Sequence, residues 1–343
     1  MPAPGLYADA TGLMRSLLFV PADGGSKLDK AMASGADAVI VDLEDSIAPD
    51  GKLAARKSAA GFLGQARQAN GRPHLLVRVN AIATGLIDAD LDAVVAARPD
   101  AIMLPKAEGG ASIIHADAKL AACEALAGLP EGNIKILAIA TETAAALFRA
   151  GTYGGASARL IGLTWGAEDL SADLGAETNR DADGRFLDPY RLARALCLAG
   201  AAAAGVPALD TVTPDFRNAA LLRREAQEAR RDGFVGKMAI HPAQVPIINE
   251  VFTPSPEEIA RARAVVAAFD ANPGKGALAV GGVMHDRPHL ARAQRLLAHA
   301  GETSDSTKAV IPGRREAASP ESSKPPAVIT GFRLLGPSGL DPE

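Results

Sequence analysis

Apolar runs of strand length alternate with helix-length segments along roughly the first 250 residues of the chain. The runs are almost continuously apolar, which indicates strands that are covered on both faces, as in a parallel sheet. Strands are predicted at 16–20, 37–43, 75–79, 100–104, 208–212 and 235–240, with two more inside 134–169.

Eight strand and helix units predict an α/β fold, a (β/α)8 TIM barrel, over residues 15–250. A dinucleotide-binding Rossmann sheet ranks lower, because residues 22–26 do not match the G-x-G-x-x-G fingerprint. Residues 1–14 are a predicted leader, and residues 301–343, rich in Ser, Glu, Lys and Pro, are expected to be disordered. Residues 251–300 are predicted to form a movable lid of two helices, Pro256 to Asp270 and about Pro288 to His299, joined by a glycine-rich connector at 273–282.

Composition and charge point to a small-molecule ligand. The 343-residue chain has a net charge of −4 and scattered basic residues, so nucleic acid is not expected. No apolar run reaches the roughly 20 residues that cross a bilayer, and the N-terminus lacks a signal region. The two cysteines, Cys123 and Cys197, lie in helical segments and are expected to be buried and reduced. We therefore expect a soluble, cytoplasmic protein.

Carboxylates follow the fifth and sixth predicted strands, Glu142 after one and Asp169 after the other. If these strands are parallel neighbours, the two acids emerge on the same edge of the sheet and can hold one hard cation, magnesium or manganese. Each acid could instead cap the helix that follows its strand. Two acids on consecutive strand ends favour the metal site.

Other charged residues follow the remaining strands. Arg78 could supply a fixed cation beside the metal, or form a salt bridge with Asp42 or Glu44, and one arginine can do both. Asp42 and Glu44 fit a supporting role better than a ligand role. Lys106 could contact a carboxylate or phosphate, or remain solvated. His241, which precedes Pro242, is by itself more typical of a loop or helix cap than of a base.

A set of short motifs at these positions resembles the citrate lyase β-subunit and malyl-CoA lyase branch of the HpcH/HpaI aldolase family. The resemblance runs from about residue 14 to 300. It rests on RSLLFVP (15–21), VDLED (41–45), LVRVN (76–80), LPK (104–106), TET (141–143), GAEDL (166–170) and GKMAIHP (236–242). The sequence departs from the family where residues 21–23 read Pro-Ala-Asp instead of Pro-Gly.

The resemblance implies a magnesium-dependent TIM barrel, a homotrimer or hexamer, that makes or breaks a carbon–carbon bond between an acyl-CoA and a 2-oxo acid. The joined compound would be a 3-hydroxyacyl-CoA of the malyl, citramalyl or citryl type. Glu142 and Asp169 would bind the metal, and Arg78 would stabilise the enolate. Arg15 and the segment from Lys237 to His241 would lie near the CoA nucleotide.

The resemblance also assigns a role to Asp286, in the segment MHDRPH (284–289). It implies that Asp286 is the acid/base and acts in the site of a neighbouring subunit. From the sequence alone, Asp286 is better explained as the cap of the helix that begins near Pro288.

Three other functions remain open. A class II pyruvate-type aldolase would act without CoA, but the second strand ends in Asp-Leu-Glu-Asp rather than in the Glu-His pair that those aldolases show. A non-catalytic subunit of a lyase complex would not need Glu142, Asp169 and Arg78 together. A malyl-CoA thioesterase would share the same site.

Overall fold

Eight parallel strands form one sheet that curves into a nearly closed barrel. The computed structural model describes residues 14–301. The strands are β1 (Ser16–Pro21), β2 (Ala38–Asp42), β3 (His74–Arg78), β4 (Ala101–Leu104), β5 (Lys135–Ile139), β6 (Leu160–Thr164), β7 (Leu209–Asp210) and β8 (Gly236–Ala239). Their order is β6-β5-β4-β3-β2-β1-β8-β7, and an isolated bridge between Leu163 and Ala208 joins β6 to β7. The predicted TIM barrel is confirmed.

Helices follow the strands and cover the outside of the barrel. They are α1 (Ser26–Met32), α2 (Lys52–Ala66), α3 (Ile87–Val94), α4 (Gly110–Leu126), α5 (Ala144–Leu147), α6 (Glu168–Leu174), α7 (Asp188–Ala204), α8 (Ala219–Asp232) and α9 (Val245–Phe252).

The side chains of each strand divide between two apolar cores. In β2, Ile40 points into the barrel with Leu17, Leu76 and Met103, whereas Val39 and Val41 belong to the larger core between the sheet and the helices. Neighbouring residues of a strand point to opposite faces, and here both faces are buried. This double burial explains the continuous apolar runs of the sequence.

The segment after the barrel differs in part from the predicted lid. It contains two helices, α10 (Pro256–Asp270) and α11 (Arg287–His299), which pack together. The connector, however, is a β-hairpin of β9 (Ala277–Val280) and β10 (Val283–Asp286), not an irregular glycine-rich loop. Gly281 and Gly282 form its turn with φ of 60° and 80°, the positive angles that a tight two-residue hairpin requires.

The predicted leader and the predicted disordered tail lie mostly outside the residues that the structure describes. Met14, placed in the predicted leader, is buried inside the barrel. The rest of that leader and the predicted tail from residue 302 lie outside the described residues. Within residues 14–301, no helix is both long enough and apolar enough to cross a membrane.

Candidate active site

Arg78, the last residue of β3, is held rigidly by carboxylates from the end of β2. Its Nε and Nη2 each lie 2.7 Å from an oxygen of Asp42, its partner in the parallel register. Nη1 lies 3.0 Å from Glu44 Oε2, an ion-pair contact that does not meet hydrogen-bond geometry. The guanidinium carbon lies 5.0 Å from the centre of the Phe19 ring. Burial alone would raise the pKa of Asp42, but its hydrogen bonds with Arg78 bring that pKa below its usual value. The predicted salt bridge is therefore present.

The loop that carries Glu44 is fixed by a second set of contacts. Asp42 Oδ1 accepts a 2.9 Å hydrogen bond from the Glu44 backbone N–H, and Asp42 Oδ2 accepts one from Ser46. Lys52 donates to the carbonyl oxygens of Leu43 and Glu44, both at 2.7 Å. Asp42 and Glu44 thus surround Arg78 in the supporting arrangement that the sequence suggested.

Glu142 follows β5 and is almost fully buried, with 3% of its surface exposed. Its Oε2 accepts a 2.6 Å hydrogen bond from the backbone N–H of Lys106. Its side chain packs against Gly166 so closely that a Cβ there would lie 2.6 Å from Glu142 Cγ. Burial first, and then the charge of Asp169, raise the pKa of Glu142 well above its usual value.

Asp169 lies in the first turn of α6, and its side chain is 30% exposed. Both acids contact Lys106: Glu142 accepts its backbone N–H, and Asp169 Oδ1 lies 3.0 Å from its ammonium, so the two carboxylates lie on either side of one residue. A hard divalent cation suits such a pair, because it would offset the effect of the Asp169 charge on the ionisation of Glu142. Within residues 14–301, no group of three or more His, Cys, Asp or Glu is arranged to hold a metal, so Glu142 and Asp169 remain the candidate ligands. The other coordination positions would be open to substrate and water.

Lys106 joins the two halves of this cluster, although the sequence left its role open. Its ammonium lies 2.6 Å from Glu44 Oε1 and 3.0 Å from Asp169 Oδ1, while its backbone N–H donates to Glu142. Its φ of 50° is unusual for a residue with a side chain. The position of Lys106 shortly after a strand could be seen in the sequence and indicated that it lies near the site. The direction in which its side chain points depends on the backbone conformation, which the sequence did not show.

Asp286 ends β10 and caps α11. Its Oδ1 accepts a hydrogen bond from His289 N–H at 3.3 Å and lies 2.5 Å from His289 Nδ1. The side-chain hydrogen bond with His289 holds the pKa of Asp286 below its usual value. The capping role is present, and the role across a subunit interface stays a prediction.

Comparison with known proteins identifies the family. Residues 15–242 match the family described as HpcH/HpaI aldolase/citrate lyase, and residues 192–302 match the one described as C-C bond lyase of the TIM-barrel fold. The chain belongs to the HpcH/HpaI aldolase/citrate lyase family. The resemblance seen in the motifs is confirmed.

The relatives of this family member carry two kinds of name. It is 35% identical over 300 residues to the citrate lyase subunit beta of Leuconostoc mesenteroides subsp. cremoris, covering 86% of this chain and 96% of that one. It is 36% identical over 292 residues to a (3S)-malyl-CoA thioesterase of Cereibacter sphaeroides, covering 83% and 94%. A crystal structure of CitE from Mycobacterium tuberculosis with magnesium, acetoacetate and coenzyme A has a TM-score of 0.68 and 36% identity, covering 85% and 100%.

Two residues predicted to lie near the CoA nucleotide do not fit that role. Arg15 precedes β1, at the N-terminal end of the strands, and its guanidinium binds Asp37 at 2.8 Å. Lys237 is fully buried, and its ammonium contacts Asp210 Oδ2 and the Thr211 carbonyl oxygen, both at 2.8 Å. Arg15 thus lies at the end of the barrel opposite to the carboxylates, and Lys237 has no surface to offer a nucleotide.

His241, the third such residue, does lie at the C-terminal end of the strands, two residues after the end of β8. Its Nδ1 accepts a hydrogen bond from Ala243 N–H, so it caps the following turn. Its ring stacks on Phe216, with centres 4.5 Å apart, and the Arg217 guanidinium lies 4.8 Å from the centre of Phe216. Phe216 and Arg217 are thus neighbours of His241 in the candidate site that the sequence analysis did not identify.

Proposed function

We propose that this family member is a magnesium-dependent CoA ester lyase. It would cleave a 3-hydroxyacyl-CoA of the malyl, citramalyl or citryl type reversibly into a short acyl-CoA and a 2-oxo acid. The observation that carries the proposal is the arrangement of Arg78, locked by Asp42 and Glu44, at the same end of the barrel as the Glu142 and Asp169 pair. The CitE complexes with magnesium and acetoacetate or oxaloacetate support it.

Glu142 and Asp169 would hold the magnesium ion. When bound, magnesium would polarise the carbonyl group of the 2-oxo acid as a Lewis acid. Glu142 is fixed by the Lys106 N–H and by Gly166, so one ligand is preorganised, whereas the partly exposed Asp169 can adjust.

Arg78 would stabilise the thioester enolate. In the cleavage direction, a base removes the proton of the 3-hydroxyl group, the C2–C3 bond breaks, and its electron pair passes to the acyl-CoA enolate, which is then protonated. A guanidinium that is already oriented by Asp42 needs no reorganisation as this charge develops. No covalent bond to the protein is needed.

Asp286 of a neighbouring subunit would be the base, in a homotrimer or hexamer. Its carboxylate is ionised near neutral pH, as a proton acceptor must be. The nucleotide part of CoA would bind near His241, where Phe216 offers an aromatic ring and Arg217 a cation that suits a phosphate.

A thioesterase is the second candidate, because a relative of similar identity is named (3S)-malyl-CoA thioesterase. Mass spectrometry of reactions with acetyl-CoA or propionyl-CoA, glyoxylate or pyruvate, and magnesium separates the alternatives. A lyase forms the 3-hydroxyacyl-CoA from these reactants, whereas a thioesterase releases the free hydroxy acid and CoA when malyl-CoA is supplied instead. An aldolase without CoA acts on neither thioester, and a non-catalytic subunit produces no change, so either result would refute the proposal.

A further inference from the structure

Lys106 places a positive charge directly on one of the proposed metal ligands. Its ammonium lies 3.0 Å from Asp169 Oδ1 and 2.6 Å from Glu44 Oε1, and 3.8 Å from Asp45 Oδ1. The Lys106 side chain is only 29% exposed, so solvent screens these contacts incompletely.

The backbone conformation of Lys106 does not favour a residue with a side chain at this position. Among residues 14–301, only Lys106 and Arg98 combine a side chain with a positive φ. Glycine adopts such angles without strain, whereas other residues lose stability there. A long cationic side chain therefore occupies a position whose backbone favours glycine.

We propose that the Lys106 ammonium is a built-in competitor of the metal at Asp169. The inference rests on the proposed metal site of Glu142 and Asp169. Magnesium binds carboxylate oxygens at about 2 Å. An ammonium 3 Å from the same oxygen would then lie within about 5 Å of the ion, where two cations in a partly buried site repel strongly. The two cations thus weaken each other's binding at Asp169.

Two other carboxylates, Glu44 and Asp45, can hold the ammonium when it leaves Asp169. Glu44 already accepts its shorter hydrogen bond, and Asp45 lies beside it. When the metal binds, Lys106 keeps these contacts and gives up Asp169, while its backbone N–H continues to hold Glu142. Lys106 is therefore a positioning residue that weakens metal binding.

Calorimetric titration of the metal-free full chain with magnesium tests this inference. Lys106→Met and Lys106→Gly both remove the ammonium, but methionine keeps a long side chain on a strained backbone, whereas glycine relieves the strain. Both variants should bind magnesium at least about tenfold more tightly than the wild type. Lys27→Met, which removes one charge from an exposed residue of α1, should change the affinity by less than about twofold.

Unchanged or weaker magnesium binding in both Lys106 variants, with thermal unfolding that shows them folded, would overturn the inference. So would an equal gain in Lys27→Met, because the effect would then come from net charge. Glu142→Ala separates this failure from that of the metal site. If Glu142→Ala binds magnesium normally, the proposed site is wrong. If it loses magnesium while the Lys106 variants match the wild type, only the role of Lys106 is wrong.

Discussion

Trp165 Nε1 donates a 2.8 Å hydrogen bond to Asp210 Oδ1 across the β6–β7 junction, where the pairing described within residues 14–301 is the isolated bridge between Leu163 and Ala208. Asp210 also binds the fully buried ammonium of Lys237 on β8 at 2.8 Å. Trp165 directly precedes Gly166, against which Glu142 packs. The junction between β6 and β7 therefore supports the segment that carries Asp169, and it relies on side chains where strand pairing is sparse.

We expect Asp210→Ala to lower the free energy of unfolding by about 3–5 kcal/mol, because it leaves the buried Lys237 without its nearer carboxylate and with only Glu225, 3.6 Å away, as a charged partner. Adding Lys237→Met should restore part of this loss. Urea denaturation of the two variants and the wild type measures both effects. A loss below about 1 kcal/mol in Asp210→Ala would show that the junction does not depend on this pair.

The strands could be predicted because a strand that is buried on both faces has a continuous run of apolar residues, as in Ala38–Asp42. The β9–β10 hairpin was missed, although two glycines between two short apolar segments are a hairpin signal. The expectation that Arg15 lies near the CoA nucleotide could have been rejected from the sequence, because a residue before a strand lies at the end of the barrel away from the active site.

The candidate site could be predicted only where strand ends determine it. Asp42 and Arg78 face each other because their strands pair in register. The contact between Lys106 and Asp169 depends on a positive φ and on the path of two loops, which no apolar pattern records. The burial of Lys237 depends on Asp210, 27 residues away in the chain.

Glu142→Ala should reduce magnesium affinity to below detection in calorimetry, because it removes the better-fixed of the two proposed protein ligands. Glu108→Ala is the matched control, since Glu108 lies near the site in sequence but binds Arg149. Equal magnesium affinity in the two variants would contradict the metal-site assignment.

Arg78→Lys should lower kcat about 100-fold with little change in KM, because lysine keeps the charge but loses the planar pair of donors. Arg72→Lys changes a similar bidentate pair, with Asp100, just before β3 at the opposite end of the barrel, and should leave kcat unchanged. A higher KM with normal kcat for Arg78→Lys would mean that Arg78 only anchors substrate.

Glu44 should make the stability of the metal-free protein depend on pH. Burial raises its pKa to about 7, despite the opposing charges of Arg78 and Lys106. Between about pH 4.5 and 7, the folded state then holds a proton that the unfolded state has released, so this contribution to stability is lost as pH rises, by at most about 3 kcal/mol. The stability of Glu44→Gln relative to the wild type should therefore increase across this window in chelator-treated urea titrations. A constant difference would contradict the raised pKa.

Asp286 requires a test that separates helix capping from proton transfer, because the structure shows it capping α11. Asparagine caps helices as well as aspartate does. Asp286→Asn should therefore keep the thermal stability of the wild type and yet lose its activity.

Mixing experiments should then show that Asp286 serves a neighbouring subunit. Asp286→Asn and Glu142→Ala should each be inactive alone, and partial activity should return when they are refolded together, because some sites of a mixed oligomer combine an intact Glu142 with a partner's intact aspartate. Mixing Asp286→Asn with a second inactive variant that also carries Asp286→Asn gives the negative control. Mixed oligomers that native mass spectrometry confirms but that recover no activity would place Asp286 in its own subunit's site or outside the reaction.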